Sequence, residues 1–124
     1  MIIGTGVDIV STERIKTLLE KYGDNLTQRI LSPEELRIYF NKSKERQLYF
    51  LSNRFASKES VAKALGVGIG KPYRFKDIEI LNDKSGKPYI TFLCHQEFID
   101  KKYHFNISIS DEKRYAIAFV IISM

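Results

Sequence analysis

The chain has 124 residues, 44% of them hydrophobic, with 20 lysines and arginines against 15 aspartates and glutamates for a net charge of +5. This composition suits one folded domain over residues 1–124 and is too apolar for a disordered chain. One cysteine, Cys94, excludes an internal disulfide and a cysteine-built zinc site, two histidines speak against a histidine-rich metal centre, and no apolar run reaches transmembrane length. The charge excess suits an acidic or phosphate-bearing partner without naming one. Basic residues divide 11 and 9 between 1–63 and 64–124, so no basic half marks a nucleic-acid arm. Met1-Ile2-Ile3-Gly4 lacks the basic lead of a signal peptide. The expectation is a reduced, cytoplasmic protein with no membrane segment.

Residues 2–10 alternate as a strand does. Ile3, Val7 and Ile9 form its apolar face, and Gly4, Gly6 and Asp8 form a face stripped bare around a carboxylate. Ser11 or Thr12 caps a helix to about Lys21, and a second short helix covers 24–31. Ser32-Pro33-Glu34-Glu35 is a helix start, with Ser at the cap, Pro first and Glu third. The longest helical pattern runs from Lys44 to Leu65, with Leu48, Leu51, Phe55, Ala62 and Leu65 as its apolar stripe. Gly66 stops it, and 66–72 is a loop. The period then changes to two: Phe75–Leu81 and Pro88–Leu93 read as a hairpin joined by 82–87. Residues 94–102 suit a short helix. Phe105, Ile107 and Ile109 alternate with Asn106, Ser108 and Ser110 in another half-buried strand, and Tyr115–Ile122, apolar on both faces, reads as a central strand. The fold class is α+β, a helical first half packed on a mainly antiparallel sheet.

Three constellations could carry chemistry. The bare face of the first strand lets something approach Asp8, although an aspartate capping the next helix is the plainer reading. In the long helix Glu59 stands about 60° and Lys63 about 100° from the centre of the apolar stripe. They are neighbours at i,i+4, as an ordinary surface ion pair would be. Two carboxylates on separate elements with a lysine beside them also suit a magnesium–phosphate site, since magnesium takes one or two carboxylates and fills its shell with phosphate and water. The glycines of 66–70 either approach such a ligand or simply stop the helix. Ser108-Ile109-Ser110-Asp111 ends a strand in a carboxylate, as a hairpin turn also does.

These segments, in this order, resemble the holo-acyl-carrier-protein synthase family of 4′-phosphopantetheinyl transferases. The matching pieces are Gly4-Thr5-Gly6-Val7-Asp8-Ile9-Val10 with Arg14-Ile15, Arg29-Ile30-Leu31-Ser32-Pro33-Glu34-Glu35, and the run from Arg54-Phe55-Ala56-Ser57-Lys58-Glu59 through Lys63 to Gly70. Phe75–Ile80, Gly86-Lys87-Pro88, Asn106–Ser110 and Tyr115–Ala118 continue it, so the resemblance covers nearly the whole chain. It implies the fold of that family and transfer of the phosphopantetheine arm of coenzyme A to a serine of apo-acyl carrier protein. Adenosine 3′,5′-bisphosphate is released, in the service of fatty acid biosynthesis. Carried onto this sequence, Asp8 and Glu59 bind magnesium, Glu59 or a metal-bound water accepts the serine proton, and Lys63 stabilises the bridging phosphate. Arg46, Lys63 and the backbone near Gly66 and Gly68 would hold coenzyme A phosphates. Arg14, with Lys21 and Arg29 behind it, would meet the acidic carrier protein. The resemblance further implies a homotrimer with active sites between subunits.

One position departs from the family. Many members carry histidine after the Ser-x-Ser strand, where this chain has Asp111. An aspartate cannot copy imidazole's neutral donor–acceptor role near pH 7. Asp111 therefore either joins the chemistry, directly or through water at the metal, or sits beside it. His104, seven residues upstream, has no reason to face the site. The competing class is a non-catalytic binder of acidic protein or nucleic acid. Asp8 with Glu59 argues against it, because a phosphate-binding surface gains nothing from carboxylates unless a metal lies between them.

Overall fold

The computed structural model describes residues 1–70, 73–94 and 97–124. Strand β1 (Ile2–Ser11) leads into helices α1 (Thr12–Tyr22), α2 (Asp24–Ile30), α3 (Pro33–Phe40) and the 22-residue α4 (Lys44–Leu65). A 3₁₀ turn (Phe75–Asp77) then precedes β2 (Ile78–Asn82), β3 (Pro88–Phe92), α5 (Glu97–Asp100), β4 (His104–Asp111) and β5 (Tyr115–Ser123). The helix starts are where side-chain caps put them. Ser11 Oγ accepts from Arg14 N at 3.3 Å. Ser32 and Glu35 close a reciprocal capping box behind Pro33. Gly66 ends α4 at φ 75°, the left-handed geometry that a residue without Cβ takes at least cost.

The sheet has the order β1-β5-β4, antiparallel throughout, and β2-β3 is a separate antiparallel hairpin. Tyr115–Ser123 is thus the central strand of the larger sheet, as expected. Helix α4 lies across the inner face, where Ala116, Ala118, Val120 and Ile122 are buried. Its first half brings Phe50 and Leu51 into a core with Val10, Ile15 and Leu31. Its second half packs with Ile78, Ile80, Ile107 and Val120.

Four details depart from the sequence expectations. The faces of β1 are reversed: Ile3, Val7 and Ile9 are exposed, and the Gly4–Gly6–Asp8–Val10 face turns inward. The glycines are there for the helix. A Cβ at Gly4 would stand 2.1 Å from Ala64 O, and one at Gly6 would stand 2.1 Å from Ser60 O. The stripe chosen for α4 is also displaced. Leu48, Phe55 and Leu65 are only half-buried, while Phe50, Leu51, Ala56, Ser57, Ser60 and Val61 are fully buried. Sheet and helices enclose α4 on several sides, so no single stripe describes it. The first hairpin strand begins at Ile78, because Phe75–Asp77 turn as 3₁₀ around the Asp77 carboxylate, which accepts from Arg74 N at 3.1 Å. The expected helix over 94–102 is confined to Glu97–Asp100, with His95 and Gln96 outside the described residues, as are Lys71 and Pro72 of the glycine loop.

Candidate functional site

Asp8 lies on the inner face of β1, opposite Ala118 of β5. One turn of α4 passes beside it and supplies the other two predicted groups. Lys63 Nζ stands 2.9 Å from Asp8 Oδ1 and 3.0 Å from Val7 O. Lys63 thus reaches across to the strand and pairs with Asp8, where an i,i+4 pair with Glu59 was expected. Glu59 is half-buried. Burial raises its pKa first and the Asp8 carboxylate adds to the rise, with Lys63 and Arg14 opposing. The helix-cap reading of Asp8 fails, since Ser11 caps α1. Asp8, Glu59 and Lys63 therefore converge: two carboxylates close enough to feel each other, and one ammonium between strand and helix.

Glu59 also lines a cleft of about 530 Å³ with Arg29, Ile69, Gly70, Arg74 and Lys76. Gly66 and Gly68 lie just beyond α4, exposed, with open space where a Cβ would be. Arg14, in the first turn of α1, is exposed and acts electrostatically on Glu59. Arg29 belongs both to this cleft and to an adjoining apolar groove of about 370 Å³ formed with Leu18, Leu26, Phe55 and Phe75. Lys21 sits farther along α1, its ammonium 5.2 Å over the Tyr22 ring. Among the described residues no group of three or more His, Cys, Asp or Glu could hold a metal ion. Any ion here would rest on Asp8 and Glu59 and complete its shell with phosphate and water, which is how magnesium is usually held.

Arg46 and Asp111 lie elsewhere. Both line a cavity of about 700 Å³ with Lys42, Asn53, Arg54 and Asn82. Asp111, at the end of β4, accepts from Asn53 Nδ2 at 2.9 Å. Asn53 stands six positions before Glu59 on α4, about 9 Å along the axis and 120° around it. Within one chain Asp111 therefore keeps company with Arg46 and not with Asp8. His104, at the other end of β4 opposite Ser123, is exposed and far from both groups. Arg54 is the functional candidate that sequence reasoning passed over. It stood in the matched motif, but its helical position marks it for burial, and only the fold shows that its buried side chain borders a cavity.

Comparison with known proteins places the chain in a family. Residues 4–120 match the family model described as the 4′-phosphopantetheinyl transferase superfamily. The chain is 48% identical over 122 residues to a holo-[acyl-carrier-protein] synthase of Geobacillus sp. (strain WCH70), covering 98% of this chain and 97% of that protein. Among solved structures, the holo-[acyl-carrier-protein] synthase of Neisseria meningitidis superposes with a TM-score of 0.91 at 37% identity over the whole of both chains. The synthase of Bacillus anthracis, solved in complex with CoA (3′,5′-ADP), superposes with a TM-score of 0.85 at 36% identity, covering 98% of this chain and 96% of that one. With the family pattern matched over almost its whole length, and with Asp8, Glu59 and Lys63 gathered at one edge of the sheet, this chain belongs to the 4′-phosphopantetheinyl transferase superfamily.

Proposed function

We propose that this chain, as one domain over 1–124, is a magnesium-dependent holo-acyl-carrier-protein synthase of the cytoplasm that serves fatty acid biosynthesis. The observation that carries the reading is the convergence of Asp8, Glu59 and Lys63 from a strand and a helix that are remote in sequence. Asp8 and Glu59 would hold the magnesium ion, which when bound supplies positive charge to the diphosphate of coenzyme A. Lys63, fixed by Asp8 and the Val7 carbonyl, sets its ammonium where charge grows on the departing phosphate. Glu59, half-buried beside Asp8, would take the proton of the carrier serine. The serine oxygen bonds to the phosphorus nearer the pantetheine, the bond from that phosphorus to the bridging oxygen breaks, and adenosine 3′,5′-bisphosphate leaves.

The cavity around Arg46 and Arg54 suits the nucleotide end of coenzyme A. Arg46 stands thirteen positions before Glu59, about 20 Å along α4 and about 140° around it. A ligand with its diphosphate at Asp8 and Glu59 therefore cannot set the adjoining ribose phosphate at Arg46 of the same chain, and a second copy has to supply that end. The outer face of the sheet fits such an assembly. Val7 and Phe119 sit side by side there, as do Ile9 and Ile117, and all four are exposed in the single chain. The family's homotrimer, with sites between subunits, is consistent with both observations. The acidic carrier would approach Arg14, Lys21 and Arg29 and lay an apolar side chain in the groove beside Phe55 and Phe75.

Intact-mass spectrometry of apo-acyl carrier protein incubated with this chain, coenzyme A and magnesium tests the proposal. A mass gain of one phosphopantetheine, abolished by chelator and by Asp8→Ala or Glu59→Ala, is expected. Turnover retained in both variants would sink the site.

A further inference from the structure

A buried charge cluster stands between the helices and the β2–β3 hairpin. Glu35 and Lys58 are fully buried, and the Arg54 side chain is 4% exposed. Glu35 Oε1 accepts from Lys58 Nζ and, at 2.9 Å, from Ser32 N. Glu35 Oε2 accepts from Ile80 N at 2.9 Å and lies 3.7 Å from Arg54 Nε, which has no hydrogen-bond partner. Lys58 Nζ also donates to Ile30 O at 2.7 Å. Arg54 is then held from both sides, one terminal nitrogen on Asn53 Oδ1 and the other on Asn82 Oδ1, each at 2.9 Å. Its guanidinium carbon lies 4.4 Å from the centre of the Phe50 ring.

The arrangement has a direction. Two cations share one carboxylate, and the surplus positive charge falls on Arg54, the member that borders the cavity. Asp111 and Glu79 act on the cluster only from outside it, Asp111 on Arg54 and Glu79 on Lys58. A buried ion pair of this kind stabilises a fold no better than well-packed apolar residues do. Each asparagine takes one N–H from a terminal nitrogen of Arg54, leaving one on each for a ligand, a fork matched to phosphate oxygens. Resting on the reading that this cavity takes the nucleotide end of coenzyme A, we infer that Glu35 is a positioning residue. Anchored by Lys58, Ser32 and Ile80, its carboxylate holds the Arg54 guanidinium at the cavity by charge from 3.7 Å while Asn53 and Asn82 set its plane, so that the site selects a ligand carrying a phosphate monoester there. In coenzyme A that group is the ribose phosphate lying outside the diphosphate.

The test is calorimetric titration of the full chain with coenzyme A and with 3′-dephospho-coenzyme A. The proteins are the wild type, Glu35→Gln, and the double variant Glu35→Leu/Lys58→Met. The double variant removes both charges together, which buried pairs often tolerate, and so stands in if Glu35→Gln does not fold. The wild type should prefer coenzyme A. Each folded variant should lose about ten-fold or more in affinity for coenzyme A, hold its affinity for the dephospho compound within about two-fold, and show a raised KM with little change in kcat. A folded variant that keeps the wild-type preference overturns the inference, and so does equal loss for both ligands. A wild type that binds both compounds equally overturns the reading of the cavity itself, before any substitution is made.

Discussion

Replacing Gly6 with alanine asks whether the glycines of β1 serve the helix or a ligand. A Cβ at Gly6 would stand 2.1 Å from Ser60 O, 2.7 Å from Ala64 N and 3.1 Å from Lys63 Cβ. All three atoms belong to α4, and the two nearest are backbone, so no rotamer change relieves the clash. Strand and helix must part by about 1 Å in an interior packed to crystal density. Overpacking on this scale costs about 1–3 kcal/mol, or about 4–12 °C in Tm for a domain of this size. The same displacement stretches the contact of Ser60 Oγ with Ala118 O, now 2.9 Å. It also draws Asp8, two residues along β1, away from Glu59 and Lys63. A misplacement of about 1 Å can cost about 10²-fold in turnover. The assay is a thermal melt beside carrier-protein modification rates, with Gly68→Ala as control. No atom lies within 4 Å of a Cβ at Gly68, so its Tm should stay within about 2 °C of wild type. If Gly6→Ala melts and turns over like wild type, the close approach of strand to helix is wrong. If it loses turnover with an unchanged Tm, the glycines clear space for a ligand after all.

Three other expectations follow from the same geometry. Lys63→Met should lower kcat about 10²-fold while leaving the coenzyme A KM within a few-fold, the signature of a group that matters in the transition state; a change confined to KM would refute it. Phe119→Lys sets a charge in the middle of the exposed apolar rows on the outer sheet face. Sedimentation should show the proposed trimer falling to single chains with loss of turnover, and a sedimentation coefficient unchanged from wild type would show that this face forms no interface. Asp77 has its pKa lowered, first by the hydrogen bonds from the Arg74 side chain. Its contribution is therefore present above the ordinary carboxylate range and is lost as pH falls through the depressed folded value. Asp77→Asn should cost about 1–2 kcal/mol at pH 7 in denaturant titration and progressively less as the wild type is acidified; a pH-independent difference would show that the charge contributes nothing.

Much of the local structure was legible because it is written in short-range chemistry. Ser32 capping toward Glu35 with Pro33 between, Gly66 at a helix end, and the alternation along 105–110 need only neighbours within a few residues. The faces of β1 were not legible for a reason that lies outside the strand. Burial of a strand face depends on what crosses it, and α4 crosses on the glycine side, so the face with the smaller residues is the one inside. The apolar residues left outside, Val7 and Ile9, then join Ile117 and Phe119 in rows that no single-strand pattern can reveal.

The candidate site divides the same way. Asp8, Glu59 and Lys63 were grouped by their chemistry and by the resemblance, and the structure adds the reason they meet: α4 crosses β1 once, on the side where its glycines permit close approach. Asp111 was brought to the site by the resemblance, as the residue where many relatives carry histidine, yet within one chain β5 lies between β1 and β4. Asp8 aligns with Ile109 through Ala118, which leaves Asp111 two residues farther along and two strands away, about 12 Å off by strand geometry. That separation gives the departure at this position a physical meaning. Placed in the cavity with Arg46 and Arg54, the Asp111 carboxylate lowers the net positive charge that a bound phosphate would meet. Asp111→Asn should therefore tighten coenzyme A binding at low ionic strength, the gain fading as salt screens the exposed carboxylate. Weaker binding in that variant would mean that Asp111 serves the ligand, by holding Asn53 in place to steer the Arg54 fork.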